Sequence, residues 1–275
     1  MSALLSYIRV DSPIHRLNGA TKLIIFLVWS LTGMISLDAR VLVIMLITGI
    51  TAFRISRIKF RDIAFVFTFI SMFLLLNFIT IYLFSPEEGV QIYGTRHVLF
   101  SISQRYTVTL EQLFYELTVT LKYYTVVPVA LLFVLTTDPS EFASSLNRLG
   151  ISYKVSYAVA LALRYIPDIQ TEFKNISHAQ QARGIDLSRK AKPWTRLKNM
   201  LAILMPLIFS SLDRITVIAN AMELRNFGKK KKRTWYSARP FGRNDAGALI
   251  FVLLLSAAVI IFTFYDGTRH YNPFL

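Results

Sequence analysis

From Ala246 to Tyr265 the chain carries no charged side chain, and an aspartate closes the run at each end, Asp245 and Asp266. At 1.5 Å per residue such a run carries a helix across the ~30 Å hydrocarbon core of a bilayer. Ile63 to Phe84 is a second uncharged run. Leu117 to Thr137 is a third, broken only by Lys122, whose ammonium either snorkels from near a helix end or faces a protein partner. Two shorter runs, Leu23 to Leu37 and Val41 to Phe53, are separated by Asp38-Ala39-Arg40 and read as tilted or partly buried helices. The expected fold is all-α and polytopic, with about five transmembrane helices and a cytosolic coupling domain of long amphipathic helices. A hydrophobic content of 54% points the same way, away from an ordinary soluble globule.

A net charge of +15 would invite a nucleic-acid reading if it were spread over a soluble fold. It is not spread. Of 31 Lys and Arg, nineteen lie between Asp138 and Arg243, four between Arg54 and Arg61, and three are Arg9, Arg16 and Lys22. With alternating spans all of these fall on one side of the membrane. Arg40, Arg96, Arg105 and Arg269 fall on the other, and Lys122 lies within a span. The excess of positive charge places the N-terminus and the basic block in the cytosol and the C-terminus outside. The N-terminal residues lack a basic start followed by a cleavable apolar run, so no removable leader is expected. The organisation expected is a membrane part over 1–137, a cytosolic helical domain over 138–243, and a last span with its tail over 244–275.

Little in the chain looks catalytic. There is no cysteine, and the four histidines (His15, His97, His178, His270) lie far apart without ligand-like spacing, so neither a metal nor a cofactor is expected. The run Gly228 to Arg233 is basic but lacks the Gly-x-x-x-x-Gly-Lys-Ser/Thr pattern of a phosphate-cradling loop. Followed by Trp235 and Tyr236, it suits anionic lipid headgroups instead. The loop from Ser85 to Gln112, with Pro86, Gly89 and Gly94, reads as a lid, an interfacial helix or a connection.

The basic block is patterned. Thr137, Asp138, Pro139 and Glu141 form a helix start, and Gly150 is placed to end that helix. A second helix is expected from about Ser152 to Gln181, apolar all round at first and then carrying Ile166, Ile169, Phe173 and Ile176 on one face. A third is expected from about Pro193 to Leu224, with Leu197, Leu201, Leu204, Ile208, Leu212, Ile215, Ala219 and Met222 at helical spacing. Pro167 and Pro206 mark expected bends. The plain reading of both stripes is core, packed one on the other. Each long helix ends in an arginine, in Ala182-Arg183-Gly184 and in Leu224-Arg225-Asn226. A cation there suits the helix dipole, which is reason enough for it. Alternatively, the helix end approaches a partner closely and the guanidinium pairs with a partner carboxylate.

At these residues the chain resembles the transmembrane T component of energy-coupling factor (ECF) transporters. The resemblance rests on Ser12-Pro13-Ile14-His15-Arg16-Leu17 with Thr21-Lys22, on the Ala-Gln-Gln-Ala-Arg-Gly run at 179–184, and on the second X-Arg-X at 224–226. It implies a scaffold in a bacterial cell membrane, without catalysis of its own, that serves uptake of vitamins or other micronutrients. Its implied partners are two ATP-binding-cassette ATPases and a membrane-embedded substrate-binding (S) subunit. Arg183 and Arg225 would dock into the ATPases, with Ala182, Gly184, Leu224 and Asn226 around them. Leu-Arg-Asn departs from the commoner Ala-Arg-Gly, which weakens the close-approach argument at the second site. Two rivals stand beside this reading. A self-sufficient permease calls for polar or broken mid-membrane helices, for which only Asn77 and Pro128 offer themselves. A membrane enzyme calls for paired ionisable groups, whereas Glu172 and His178 are six residues apart and face differently.

Overall fold

The computed structural model describes residues 7–8, 10–101, 106–185, 193–230, 234–236, 238–265 and 267–274. Residues 1–6, part of the 85–112 loop and Lys231 to Arg233 of the basic run lie outside the described residues. Among the described residues the chain is helical apart from one short strand pair and an isolated bridge between Leu37 and His270, in the order α1 (Pro13–Arg16), α2 (Gly19–Ile35), α3 (Ala39–Ile55), α4 (Phe60–Phe84), α5 (Glu88–Tyr93), β1 (Val98–Ser101), β2 (Thr107–Thr109), α6 (Leu110–Thr136), α7 (Pro139–Arg148), α8 (Tyr153–Ala182), α9 (Pro193–Leu224) and α10 (Arg243–Phe264). It separates into two compact units, residues 1–138 with 239–275, and residues 139–238.

In the first unit, α6 is the central helix, packed by α2, α3, α4 and α5, and α10 lies on α2. Two apolar clusters hold it together. One joins Trp29, Val41, Met45 and Val129 to Val252 and Val259, and the other joins Ile58 and Ile63 to Leu131, Leu132 and Leu135. Gly33 on α2 and Gly49 on α3 face α6 around Thr125 to Val129, with room for a methyl group in ordinary van der Waals contact. α4, α6 and α10 are long and apolar enough to cross a membrane, and α2 is a shorter apolar helix. Asp38 ends the run before α3 because its carboxylate caps Arg40 N–H at 2.9 Å.

The loop after α4 carries the short helix α5 and the strand pair β1–β2. Gln112 accepts from Gly89 N–H and donates to Ser85 O, which fixes α5 on α6. The strand pair β1–β2, which the sequence reading did not anticipate, sits beside it. The C-terminal tail folds back here: Asn272 donates to Tyr93 O, and Phe274 packs on Tyr93, His97 and Phe114.

The second unit is a helical hairpin with α7 packed on α8. Pairings run in descending order along α8 and ascending order along α9, so the two helices are antiparallel. Gln180 donates to Ala202 O at 3.3 Å, Arg214 pairs with Glu172 at 2.6 Å, Ser210 donates to the same carboxylate, and Leu161 shares a cleft with Ile218 and Met222. Here the expected packing fails in part. On α9 the buried apolar residues are Ile203 and Leu207, one position off the expected stripe. Leu197, Leu201, Leu204, Ile208, Leu212 and Ile215 remain between 41% and 61% exposed, and Ile166, Ile169 and Phe173 on α8 between 39% and 49%. α9 packs on α8 and α8 on α9 and α7, which covers only part of each apolar circumference. By length and composition Leu197–Leu224 also meets the criteria for a membrane span, although the adjacent Asp213 and Arg214 near its middle make it a costly one.

Candidate functional site

Each long helix of the hairpin ends in the same backbone device. After Ala182, Gly184 N–H bonds Gln181 O at 3.0 Å and Ile185 N–H bonds Gln180 O at 3.1 Å, with Gly184 at φ 86°. After Leu224, Asn226 N–H bonds Glu223 O and Phe227 N–H bonds Met222 O, both at 2.9 Å, with Asn226 at φ 55°. Both are Schellman ends, with the arginine as the last half-helical residue and a left-handed residue behind it. Asparagine is the side-chain-bearing residue that tolerates this conformation best. The departure from Ala-Arg-Gly at the second motif is therefore conservative in backbone terms.

All six motif residues are exposed, Leu224 at 85%. The antiparallel arrangement sets Arg183 and Arg225 at opposite ends of a hairpin whose helices have 30 and 32 residues, about 45 Å of rise. The surroundings of the two ends differ. Nothing lies near a side chain built on Gly184. Arg225 lines a cleft of about 260 Å³ with Arg164, Tyr153, Tyr157, Met222 and Phe227. Phe227 packs on Tyr157 at 4.8 Å and on Tyr153 at 5.4 Å, and Trp235 closes the group by donating to Asn147 Oδ1. Arg183 is exposed, and Arg225 lines a braced cleft with a second cation, Arg164.

The third motif, Ser12 to Lys22, is used differently. Ser12 caps α1, and its hydroxyl lies 2.7 Å from His15 Nδ1. His15 Nε2 donates to Ile8 O at 3.0 Å, so Nδ1 accepts from Ser12 in the neutral ring. Burial lowers the His15 pKa, opposed by the bond to Ile8. Lys22, also buried, donates to Thr136 O at 2.7 Å and so satisfies a carbonyl at the end of α6. Asn18 N–H donates to Asp245 at 2.8 Å, Arg239 donates to His15 O at 2.7 Å, and Asp245 accepts Gly242 N–H at the start of α10. The motif thus joins the beginnings of α2 and α10 to the end of α6. Sequence reasoning missed Asn18, Arg239 and Asp245 here; the available signal was a cluster of polar residues abutting apolar runs.

Glu172 accepts from Arg214 and Ser210.

Such a molecule is an all-α polytopic membrane protein that carries a helical hairpin with an exposed arginine at each end. The chain belongs to the CbiQ family of cobalt transport proteins, whose pattern it matches over residues 11–236. It is similar along nearly its whole length to proteins named energy-coupling factor transporter transmembrane protein EcfT. That of Bacillus selenitireducens is 28% identical over 269 residues, covering 95% of this chain and 97% of the relative. That of Leuconostoc gelidum is 27% identical over 265 residues, 92% of each. That of Lactococcus lactis is 24% identical, covering 94% of this chain and 96% of the relative.

Proposed function

We propose that this chain is the transmembrane coupling subunit of an ECF-type importer in a bacterial cell membrane. Arg183 and Arg225 each dock one of two ATP-binding-cassette ATPases, and the half-exposed faces of α8 and α9 carry the membrane-embedded substrate-binding subunit. The N-terminus and the hairpin lie in the cytosol and the C-terminus outside, as the distribution of Lys and Arg argues. Closure of the ATPase pair on ATP moves the two arginine ends and with them the hairpin. That movement shifts the substrate-binding subunit, which delivers a vitamin or other micronutrient. The chain performs no catalysis; ATP hydrolysis belongs to its partners.

The observation that carries this reading is the repeated helix end, two exposed arginines on identical Schellman turns at opposite ends of one hairpin. Core packing does not account for the row of half-exposed Leu, Ile and Phe along the same hairpin; an exposed apolar patch of this kind marks a protein or membrane contact. The test is purification of the chain from its native membrane with identification of bound proteins by mass. Two ATPases and a small hydrophobic protein are expected. Recovery of the chain alone, in detergent that preserves other membrane complexes, together with uptake by vesicles holding this chain only, would turn the reading to a self-sufficient permease.

A further inference from the structure

A groove of about 240 Å³ opens in the first unit among α2, α3, α6 and α10, with Trp29, Gly49, Ala52, Phe133, Ala248 and Phe251 among its walls. Its lining is apolar except for Lys22 and Thr136, which meet at one end, and Thr48, whose hydroxyl is spent on Ile44 O. On α2 it extends from Lys22 to Trp29, on α3 from Thr48 to Ile55, and on α6 from Val129 to Thr136. Each stretch is about 10 Å of helix, roughly two thirds of one leaflet of a ~30 Å hydrocarbon core. The groove therefore runs along the span direction, from a membrane surface into one leaflet.

The surface end is cationic. Arg54 and Arg57 lie at the end of α3, and Arg243 opens α10; all three are exposed. Arg54 and Arg243 have no ion pair among the described residues. Asp245, beside Arg243, accepts two backbone N–H groups, and Asp62, the carboxylate nearest in sequence to Arg54 and Arg57, is exposed in the first turn of α4 and makes no ion pair with either among the described residues. An apolar slot reaching about two thirds into one leaflet, with Arg54 next in sequence to its lining residue Ile55 and Arg243 at the start of the helix that supplies Ala248 and Phe251, matches an amphiphile with a chain and an anionic head. We propose that this groove is a binding site for one phospholipid of the leaflet on the Lys22 side, its acyl chain against Trp29 and its anionic headgroup at Arg54 and Arg243. The proposal rests on the assignment of spans and not on ATPase docking.

Trp29 supplies the readout. With Trp194→Phe and Trp235→Phe, Trp29 becomes the sole indole. The full chain is placed in phosphatidylcholine nanodiscs holding one tenth of either phosphatidylglycerol or phosphatidylcholine brominated on the acyl chain. Brominated phosphatidylglycerol is expected to quench Trp29 about fivefold more effectively per mole for each rim cation engaged. Arg54→Gln with Arg243→Gln should remove that preference, and Ala248→Phe, which fills the groove, should remove the excess quenching itself. Equal quenching by the two brominated lipids in the protein with its rim intact would overturn the proposal, and needs no groove variant to be interpretable. Unchanged quenching in a folded Ala248→Phe protein would overturn it as well.

Discussion

Two kinds of motif stand side by side in this chain. The N-terminal one, Ser12 to Lys22, turns inward: Ser12, His15, Asn18, Thr21 and Lys22 are all buried. The two arginine ends turn outward, with every residue of Ala182-Arg183-Gly184 and Leu224-Arg225-Asn226 exposed. In sequence both look alike, short polar runs at the edge of a helix. The structure separates them by what their donors and acceptors do. At the N-terminal node, side chains satisfy backbone groups across the fold, Lys22 on Thr136 O and Asp245 on Asn18 N–H. At the helix ends the backbone satisfies itself through the Schellman bonds, and the arginines lie exposed at the surface. A residue that completes the fold and a residue that presents a charge should therefore respond to substitution in opposite ways.

The sharpest contrast is Asp245→Ala against Arg183→Glu. Removing the carboxylate strands the buried N–H of Asn18 and uncaps α10, a loss of about 2–4 kcal/mol. It should lower the detergent-solubilised unfolding midpoint by several degrees, while Arg183→Glu should leave that midpoint where it was. Equal midpoints for both variants would erase the distinction. Lys22→Met keeps the stem and removes the ammonium from Thr136 O, a smaller loss of about 1–3 kcal/mol in the same assay.

The two helix ends can be compared with each other at finer scale. Gly184→Val places a β-branched side chain at φ 86° and should cost about 1–2 kcal/mol. Asn226→Gly, at φ 55°, should change stability by less than about 0.5 kcal/mol, because both residues accept the left-handed conformation. A large loss for Asn226→Gly would mean that the asparagine side chain does more than permit the turn.

The smallest effect expected is a pH dependence at the node. Burial holds the His15 pKa below its ordinary value of 6.5, so the folded state favours the neutral ring. The associated stability is complete above about pH 6.5 and is lost as pH falls toward the depressed value. Unfolding midpoints measured at pH 7.5 and 5.5 should fall on acidification, and His15→Gln should flatten that difference. A wild-type midpoint that rises on acidification would contradict the neutral tautomer inferred from Ile8 O.

Much of the fold was legible because it is written in local signals. Pro139 and Gly150 bracket α7, Ser152 caps α8, and Pro193 and Leu224 bound α9, as propensity and capping chemistry indicate. The long apolar runs announced α4, α6 and α10 in the same way. What was not legible depends on distance or on absence of a neighbour. Asn18 and Asp245 meet across 227 positions, and no periodicity predicts that. The strands at 98–101 and 107–109 are too short for an alternating pattern to show. The apolar stripe on α9 was read as core because a sequence displays hydrophobicity and not how many helices surround it. The arginines themselves were visible at 183 and 225, but the equivalence of Gly184 and Asn226 appears only in their backbone angles.

The central claim, that Arg183 and Arg225 present charge to two ATPases, is tested most directly by the double variant Arg183→Glu with Arg225→Glu. The variant is co-expressed with its ATPases, and ATPase recovery on the purified chain is measured beside the unfolding midpoint. The account predicts an unchanged midpoint, partial ATPase loss in each single variant and near-complete loss in the double. A folded double variant that retains both ATPases at wild-type stoichiometry would contradict it.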